Sequence, residues 1–320
     1  MHRKKTTLTL DVSQWAPKGC RTVEVDLYAP LEPPEAQVLW CCVAGGGVSR
    51  AYFALDVPPE TGDFNMARYF ADRGALVLLI DPPGVGGSDV PLDGYELTPS
   101  CLADVLHGVV TQVKDELMSG GLAGAAPGTP LVTVGLGHSA GALLISNQQA
   151  RHRSYDALAL LGFSDTGLVE VLNAEELAFV GRPDEVVAAL PGLVEQRFGG
   201  PLPAAPYSNL DDPTSGSLPD PIQEAASRIR VPLLALVGMM AIIPGTMKHE
   251  LDLIDIPTFA AIGDHDIAGG FDSLVLQLPA CRDLTLLTLP DTGHNHNQSD
   301  ARFVLWNRLI RWIESVAQPT

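Results

Sequence analysis

Five residues, Gly137-His138-Ser139-Ala140-Gly141, sit where the apolar run LVTVGLG gives way to the helix-forming run ALLI. A serine held in a Gly-x-Ser-x-Gly turn between strand and helix is lifted into a cleft, because the flanking glycines leave room for a tight, strained backbone. The chemistry this suggests is nucleophilic attack on a carbonyl. A serine hydroxyl attacks poorly near neutral pH, so such a turn calls for a histidine to take its proton. It also calls for a carboxylate to hold that imidazole in one tautomer. Both residue types follow in the chain. IPTFAAIGDHD at 256–266 reads as a buried strand ending in glycine, with Asp264 and Asp266 beyond it. LTLLTLPDTGHNH at 284–296 reads as another strand, followed by a turn that carries Gly293-His294 and then His296.

The tetrahedral intermediate of acyl transfer bears an oxyanion, which needs preorganised N–H donors shielded from water. Residues 38–53, VLWCCVAGGGVSRAYF, are an apolar strand opening into Gly45-Gly46-Gly47, where missing side chains let the backbone approach a substrate oxygen. Tyr52 reads as a buried aromatic. A third segment, ALVLLIDPPGVGGSD at 75–89, runs from a strand into Asp81 and a turn containing Gly84, Gly86, Gly87 and Ser88.

Together these segments resemble the α/β-hydrolase superfamily. The order Ser139, Asp266, His294 matches it: the family's acid commonly stands three residues after a strand-ending glycine, here Gly263, and its base follows a glycine, here Gly293. The resemblance implies that Asp264 supports the turn. Asp165, after the strand YDALALLGF, is a further option for the acid, because some relatives place it there, and His296 is the alternative base. It also implies an oxyanion hole built from the N–H of Ala140 and of Gly46, with Gly47 as the alternative, although Ala44-Gly45 stands where relatives often carry His-Gly. The Asp81–Ser88 turn matches a loop that is structural in that family. His138 and His265 are expected to pack and to order the acid loop respectively.

A dinucleotide-binding reading of Gly135-x-Gly137-x-x-x-Gly141 competes poorly. About three strands precede it, and the nearest acid, Asp156, stands near the start of the next strand rather than at its end. The five cysteines form no metal-ligand spacing, so no cofactor and no metal are expected, and reduced thiols in a cytoplasmic protein fit best. A net charge of −18 argues against nucleic acid and, weakly, for neutral or apolar substrates. No run approaches the ~20 apolar residues that span a bilayer, and the basic start lacks the apolar core of a secretory signal. Oligomeric state cannot be read.

The elements that must position these groups follow from periodicity. Thr6–Val12 and Arg21–Tyr28 read as edge strands. Thr98 caps a helix with Pro99 at its first position and Leu102, Val105, Leu106, Val109, Val113 and Leu117 along one face. Arg151-His152-Arg153 falls where the helix after the serine ends and suits its dipole. About ninety residues without strand–helix alternation separate the strands at 156–163 and 256–263. The expected organisation is therefore a mostly parallel α/β-hydrolase sheet flanked by helices, formed by 1–163 and 256–320, with a mainly helical cap inserted over 164–255. Within the cap, 170–197 reads as short amphipathic helices and 199–221 as a loop rich in Pro, Gly, Ser and Asp. Leu233–Ile243 reads as a buried helix that also lines an apolar pocket. The expected activity is hydrolysis of a carboxylic ester, lactone or thioester of a mainly apolar small molecule through an acyl-enzyme on Ser139. Acyl transfer or carbon–carbon bond hydrolysis by the same residues, and a non-catalytic small-ligand receptor, are the alternatives.

Overall fold

The structure, a computed structural model, describes residues 4–32, 37–204 and 220–316. Most of the loop expected over 199–221 lies outside the described residues. Eight strands, β1 (Lys4–Asp11), β2 (Thr22–Ala29), β3 (Gln37–Val43), β4 (Leu76–Ile80), β5 (Leu131–His138), β6 (Ala157–Leu161), β7 (Thr258–Gly263) and β8 (Leu284–Leu289), form one sheet in the order β1-β2-β4-β3-β5-β6-β7-β8. β2 runs antiparallel to β1 and β4, and β3 to β8 are parallel. The chain steps from β3 to β4 on one side and on to β5 on the other. The carboxyl ends of β3 and β5 therefore flank a reversal of strand order, where open α/β sheets form a crevice. Register brings the site segments to that edge: Val43 pairs with Gly137, His138 with Leu161 and Gly263 with Leu289.

The inner strands bury both faces, as a parallel sheet requires. Leu39, Cys41 and Val43 point to one face of β3 and Trp40 and Cys42 to the other. The first face packs on α2 (Pro99–Ser119) and α3 (Ala140–His152). The second packs on α1 (Met66–Ala71) and on the helix near the C-terminus, Arg302–Val316. α2 begins as its sequence requires: the Thr98 side chain accepts the Cys101 N–H at 3.2 Å, Pro99 follows, and all six residues of the expected apolar face are buried. α3 ends at the basic cluster, where Arg151 pairs with Asp104 and Arg153 with Asp255. Cys20, Cys41 and Cys42 are buried free thiols, and burial pushes Cys41 up to about 12 and Cys20 to about 11.

The glycine-rich turn after β4 exists to seat carboxylates. Asp81, 1 % exposed, accepts the Arg50 backbone N–H at 2.6 Å and pairs with its guanidinium, which also reaches Glu24 at 2.5 Å and Asp26 at 3.1 Å. A Cβ at Gly86 would collide with the Asp81 carboxylate. Ser88 Oγ donates to the Asp81 carbonyl at 2.6 Å and accepts the Glu24 N–H at 2.9 Å. This staple ties β2 and β4 to the segment that follows the Gly45–Gly47 loop.

Between β6 and β7 lie α4 (Ala174–Leu177), α5 (Pro183–Phe198), α6 (Asp220–Arg228), α7 (Ala235–Ile242) and α8 (Lys248–Leu251). Val186, Leu190 and Val194 of α5 and Leu236, Met239 and Met240 of α7 join the side chains of α2 and α3, whereas Ile222 and Ala225 of α6 join the core on the opposite face. Helix α9 (Phe271–Gln277) follows β7, and Arg302–Val316 is α10. Among the described residues no helix is long and apolar enough to cross a membrane.

Asp165 anchors this segment. It is 8 % exposed; its carboxylate accepts the Met247 N–H at 3.2 Å, and its carbonyl accepts the Gly245 N–H at 3.0 Å. Burial, with the nearby Glu250 charge, raises its carboxyl from 3.8 to about 7. The folded state therefore holds this proton between pH 4 and 7 while the unfolded chain releases it, and stability falls as pH rises through that window. Asp165→Asn keeps the acceptor and removes the charge. Its melting temperature relative to wild type should climb by several degrees between pH 5 and 8, and an unchanged difference in a thermal-denaturation pH series would reject this account.

Candidate active site

β5 runs to His138, α3 starts at Ala140, and Ser139 between them has φ 54° and ψ −124°, a left-handed conformation that costs a non-glycine residue strain. Packing enforces it. A Cβ at Gly137 would strike the backbone of Ala142, and one at Gly141 the carbonyl of Val43, so the first turn of α3 lies directly on the ends of β5 and β3. The Ser139 N–H donates to the Leu161 carbonyl at 2.8 Å, which fixes the turn from the β6 side.

Asp266 and His294 come together at the same edge. His294 Nδ1 donates to Asp266 Oδ1 at 2.7 Å, and both side chains are almost wholly buried. Asp266 also accepts the Ala268 N–H at 2.9 Å, the Gly263 N–H at 3.4 Å and His296 Nε2 at 2.7 Å. Burial opposes a charge here, but the hydrogen bonds from His294 and His296 override it and hold the carboxyl far below the usual carboxylate range. His294 Nε2 is buried and has no hydrogen-bond partner among the described residues. His294 and Ser139 line one cavity of about 340 Å³.

The other candidates lie elsewhere. Asp264 accepts the N–H groups of Asp291 and Thr292 at 2.9 Å each and supports the turn after β8. Asp165 anchors the α7–α8 connection. His296 reaches Asp266 Oδ2 and does not line the cavity. His265 is exposed, and its N–H donates to the Thr292 carbonyl at 3.1 Å. Tyr52 is fully buried and stacks on His138 at 4.7 Å. Gly46 and Ala140 line the cavity beside Ser139. Gly47 does not, and its carbonyl accepts the Val231 N–H at 3.0 Å.

Apolar side chains dominate the cavity: Phe163, Leu168, Val171, Phe198, Leu233 and Ile242. Helix α7 serves two environments, with Met239 and Met240 in the core and Gly238, Ala241 and Ile242 on the cavity wall. Among the described residues Arg197 is the one lysine or arginine that lines the cavity, and no carboxylate does. Its Nη1 donates to both oxygens of the buried Glu176, at 2.8 and 2.9 Å, and to the Val171 carbonyl at 3.2 Å.

Three contacts escaped the reading of the sequence. His138 Nε2 donates to the His294 carbonyl at 2.7 Å, and burial, with the nearby His294 and His296, holds its pKa well below the ordinary value. His296 shares Asp266 with His294. Glu176 neutralises Arg197. The first two had a signal, a histidine inside the serine turn and two histidines spaced by one residue; the third joins residues on separate helices and had none.

Taken chemically, a strained serine at a helix N-terminus, an imidazole that lines the same cavity with its Nε2 unbonded among the described residues, and an ionised carboxylate behind that imidazole can carry out nucleophilic acyl chemistry. Among curated proteins none matches the chain in sequence. Solved structures resemble it over nearly its whole length. A highly thermostable carboxyl esterase from Bacillus coagulans has a TM-score of 0.66 and 18% identity, covering 98% of each chain. A lipase in an open form has a TM-score of 0.64 and 20% identity over 99% of this chain and all of the other. A bromoperoxidase from Bacillus anthracis has a TM-score of 0.59 and 15% identity over 97% and 100%. At such identities the likeness is one of fold, and the differing activities in those names leave the reaction to be argued from the site. The sequence model of the Alpha/beta hydrolase family matches residues 42–305, and with the sheet order and the serine turn already in place, the chain belongs to the alpha/beta hydrolase family.

Proposed function

We propose that the protein is a serine hydrolase that cleaves a carboxylic ester, lactone or thioester of a mainly apolar small molecule. The observation that carries this reading is the convergence of Ser139, His294 and the Gly46 and Ala140 backbone on one apolar cavity, with Asp266 bonded to the far side of His294. In the first step Ser139 Oγ bonds to the carbonyl carbon while its proton passes to His294 Nε2. The carbonyl oxygen takes the negative charge against the N–H groups of Gly46 and Ala140. His294 returns the proton to the departing oxygen or sulfur as its bond to carbon breaks, leaving an acyl group on Ser139. Water, deprotonated by the same imidazole, then bonds to the acyl carbon, and the bond to Ser139 Oγ breaks as His294 returns the proton to that oxygen, releasing the acid. Asp266 stays ionised throughout and stabilises the imidazolium.

Residues 164–255 act as a cap that supplies most of the cavity wall. The contact of Arg197 Nη1 with both oxygens of Glu176 supports neutral substrates, because the one cap lysine or arginine that lines the cavity among the described residues already has its counter-ion. A carbon–carbon hydrolase or transferase that anchors a substrate carboxylate would need that charge free. The buried unpaired thiols support a cytoplasmic setting.

Ser139→Ala removes only a hydroxyl and keeps the Cβ, so melting temperature should hold while turnover of p-nitrophenyl esters falls by at least about 10³-fold. A fluorophosphonate probe should add once to wild type, on the peptide containing Ser139, and not to the variant. Full turnover in the variant would reject the mechanism. Glu176→Gln retains the capping hydrogen bond to the Asn173 N–H but releases the Arg197 charge. KM for esters bearing a terminal carboxylate should then drop about tenfold relative to neutral esters of the same length, and equal KM ratios in both proteins would show that Arg197 does not meet substrate.

A further inference from the structure

Asp266 carries two imidazoles, and the reading above uses only one. His296 Nε2 lies 2.7 Å from Oδ2, the oxygen not bonded to His294. With His294 Nδ1 and the Ala268 N–H on Oδ1, and His296 Nε2 and the Gly263 N–H on Oδ2, the acceptor capacity of the carboxylate is filled. His296 is 0 % exposed, and its Nδ1 has no partner among the described residues. An imidazolium would place a second N–H at that nitrogen with nothing to accept it, whereas the neutral ring needs only the one bond it makes.

We propose that His296 is a positioning residue for the acid, a neutral Nε2–H imidazole that fixes the plane of Asp266 and draws charge toward Oδ2, weakening the pull of Oδ1 on His294. The proposal rests on the reading of Ser139, His294 and Asp266 as a triad. Two geometric features set His296 in place. Its N–H donates to the His294 carbonyl at 3.1 Å, the same oxygen that accepts His138 Nε2, so the two rings on Asp266 are held at fixed spacing. Next in the chain, Asn297 Oδ1 accepts the Trp306 indole N–H at 2.7 Å, which ties the loop to α10. The titratable groups around Asp266 are His294 and His296 from the loop after β8, His138 from the end of β5 and Tyr52 from the turn after β3; Asp264 and His265 on its own loop face solvent.

His296→Phe keeps the ring and removes the donor. Oδ2 loses a hydrogen bond, Asp266 interacts more strongly with a protonated His294, and the acid limb of the kcat/KM profile should move up by about half to one pH unit. kcat should fall about tenfold with little change in KM. His296→Gln, whose amide N–H reaches about as far as Nε2, should restore both. An unmoved acid limb in the phenylalanine variant, or a glutamine variant that behaves like it, overturns the proposal. Wild-type protein gives a test free of folding defects and of turnover. Long-range ¹⁵N–¹H spectra at assay pH should show His296 protonated at Nε2 and bare at Nδ1; a doubly protonated or Nδ1-protonated ring overturns it. Retained turnover in Ser139→Ala would instead sink the triad reading and leave the spectrum of His296 unaffected.

Discussion

The first turn of α3 rests on the ends of β3 and β5 with no side chain between them, and the placement of Ser139 and Ala140 follows from that contact. Because Gly137 and Gly141 leave no room for a Cβ, the chain reverses within one residue, and Ser139 must accept a positive φ. The strain is local. The bond from its N–H to Leu161 and the burial of α3 against α2 are distributed over many residues and hold the turn closed. The same reversal aims the N-terminus of α3 at the cavity, so the free N–H groups and positive end of the helix dipole lie where negative charge would form on a bound carbonyl. One steric constraint thus sets the nucleophile and its electrostatic environment together.

A buried carboxylate at a sheet edge must be saturated with donors or remain protonated, and this chain uses both outcomes. Asp266 takes four donors and stays charged. Asp81 and Asp26 share Arg50, which locks the strand edge beside the glycine loop. Asp165 has neutral donors from Met247 and Thr246 and a nearby Glu250 but no cation, so burial wins and its proton is retained to about pH 7. The contrast explains why three acids near the ends of parallel strands do different things: Asp266 faces two imidazoles, Asp81 a guanidinium, and Asp165 neither.

The strands, the serine turn and the loops that carry Asp266 and His294 were legible because each depends on local pattern. Apolar runs ending in glycine gave the strand edges within one or two residues, and Thr98-Pro99 gave the start of α2. Asp264 and Asp266 were separable only by resemblance, since two carboxylates on one turn have the same composition. What decides between them is which way a tight turn points each side chain: Asp264 toward the backbone of 291–292, Asp266 toward the His294 and His296 rings. Gly46 and Gly47 were likewise equivalent as residues. They differ because Gly47 pairs with the chain at Val231, a contact about 180 positions away in sequence. Long-range contacts of this kind carry no local signature, and the Glu176–Arg197 pair could not have been read without them.

Substrate class is set by the segment with the least sequence pattern. The strand scaffold can place a serine, an imidazole and a carboxylate for any acyl chemistry, so discrimination falls to the walls, and these come largely from α5 and α7 and the turn after β6. Helix α7 is apolar on nearly every side because it has two apolar neighbours, the core beneath and the cavity above. A charged residue on it would be buried without a partner in either direction. Arg197 is the exception that fits the rule, a cation tolerated on the wall because Glu176 meets it with both oxygens. On the proposed reading, a cavity whose one cationic wall residue among the described residues is neutralised in place suits apolar, uncharged molecules, since a substrate carboxylate would have to displace an existing ion pair before gaining one. The charge on that wall is therefore set by the Glu176–Arg197 pair, which shares no hydrogen bond with Ser139, His294 or Asp266.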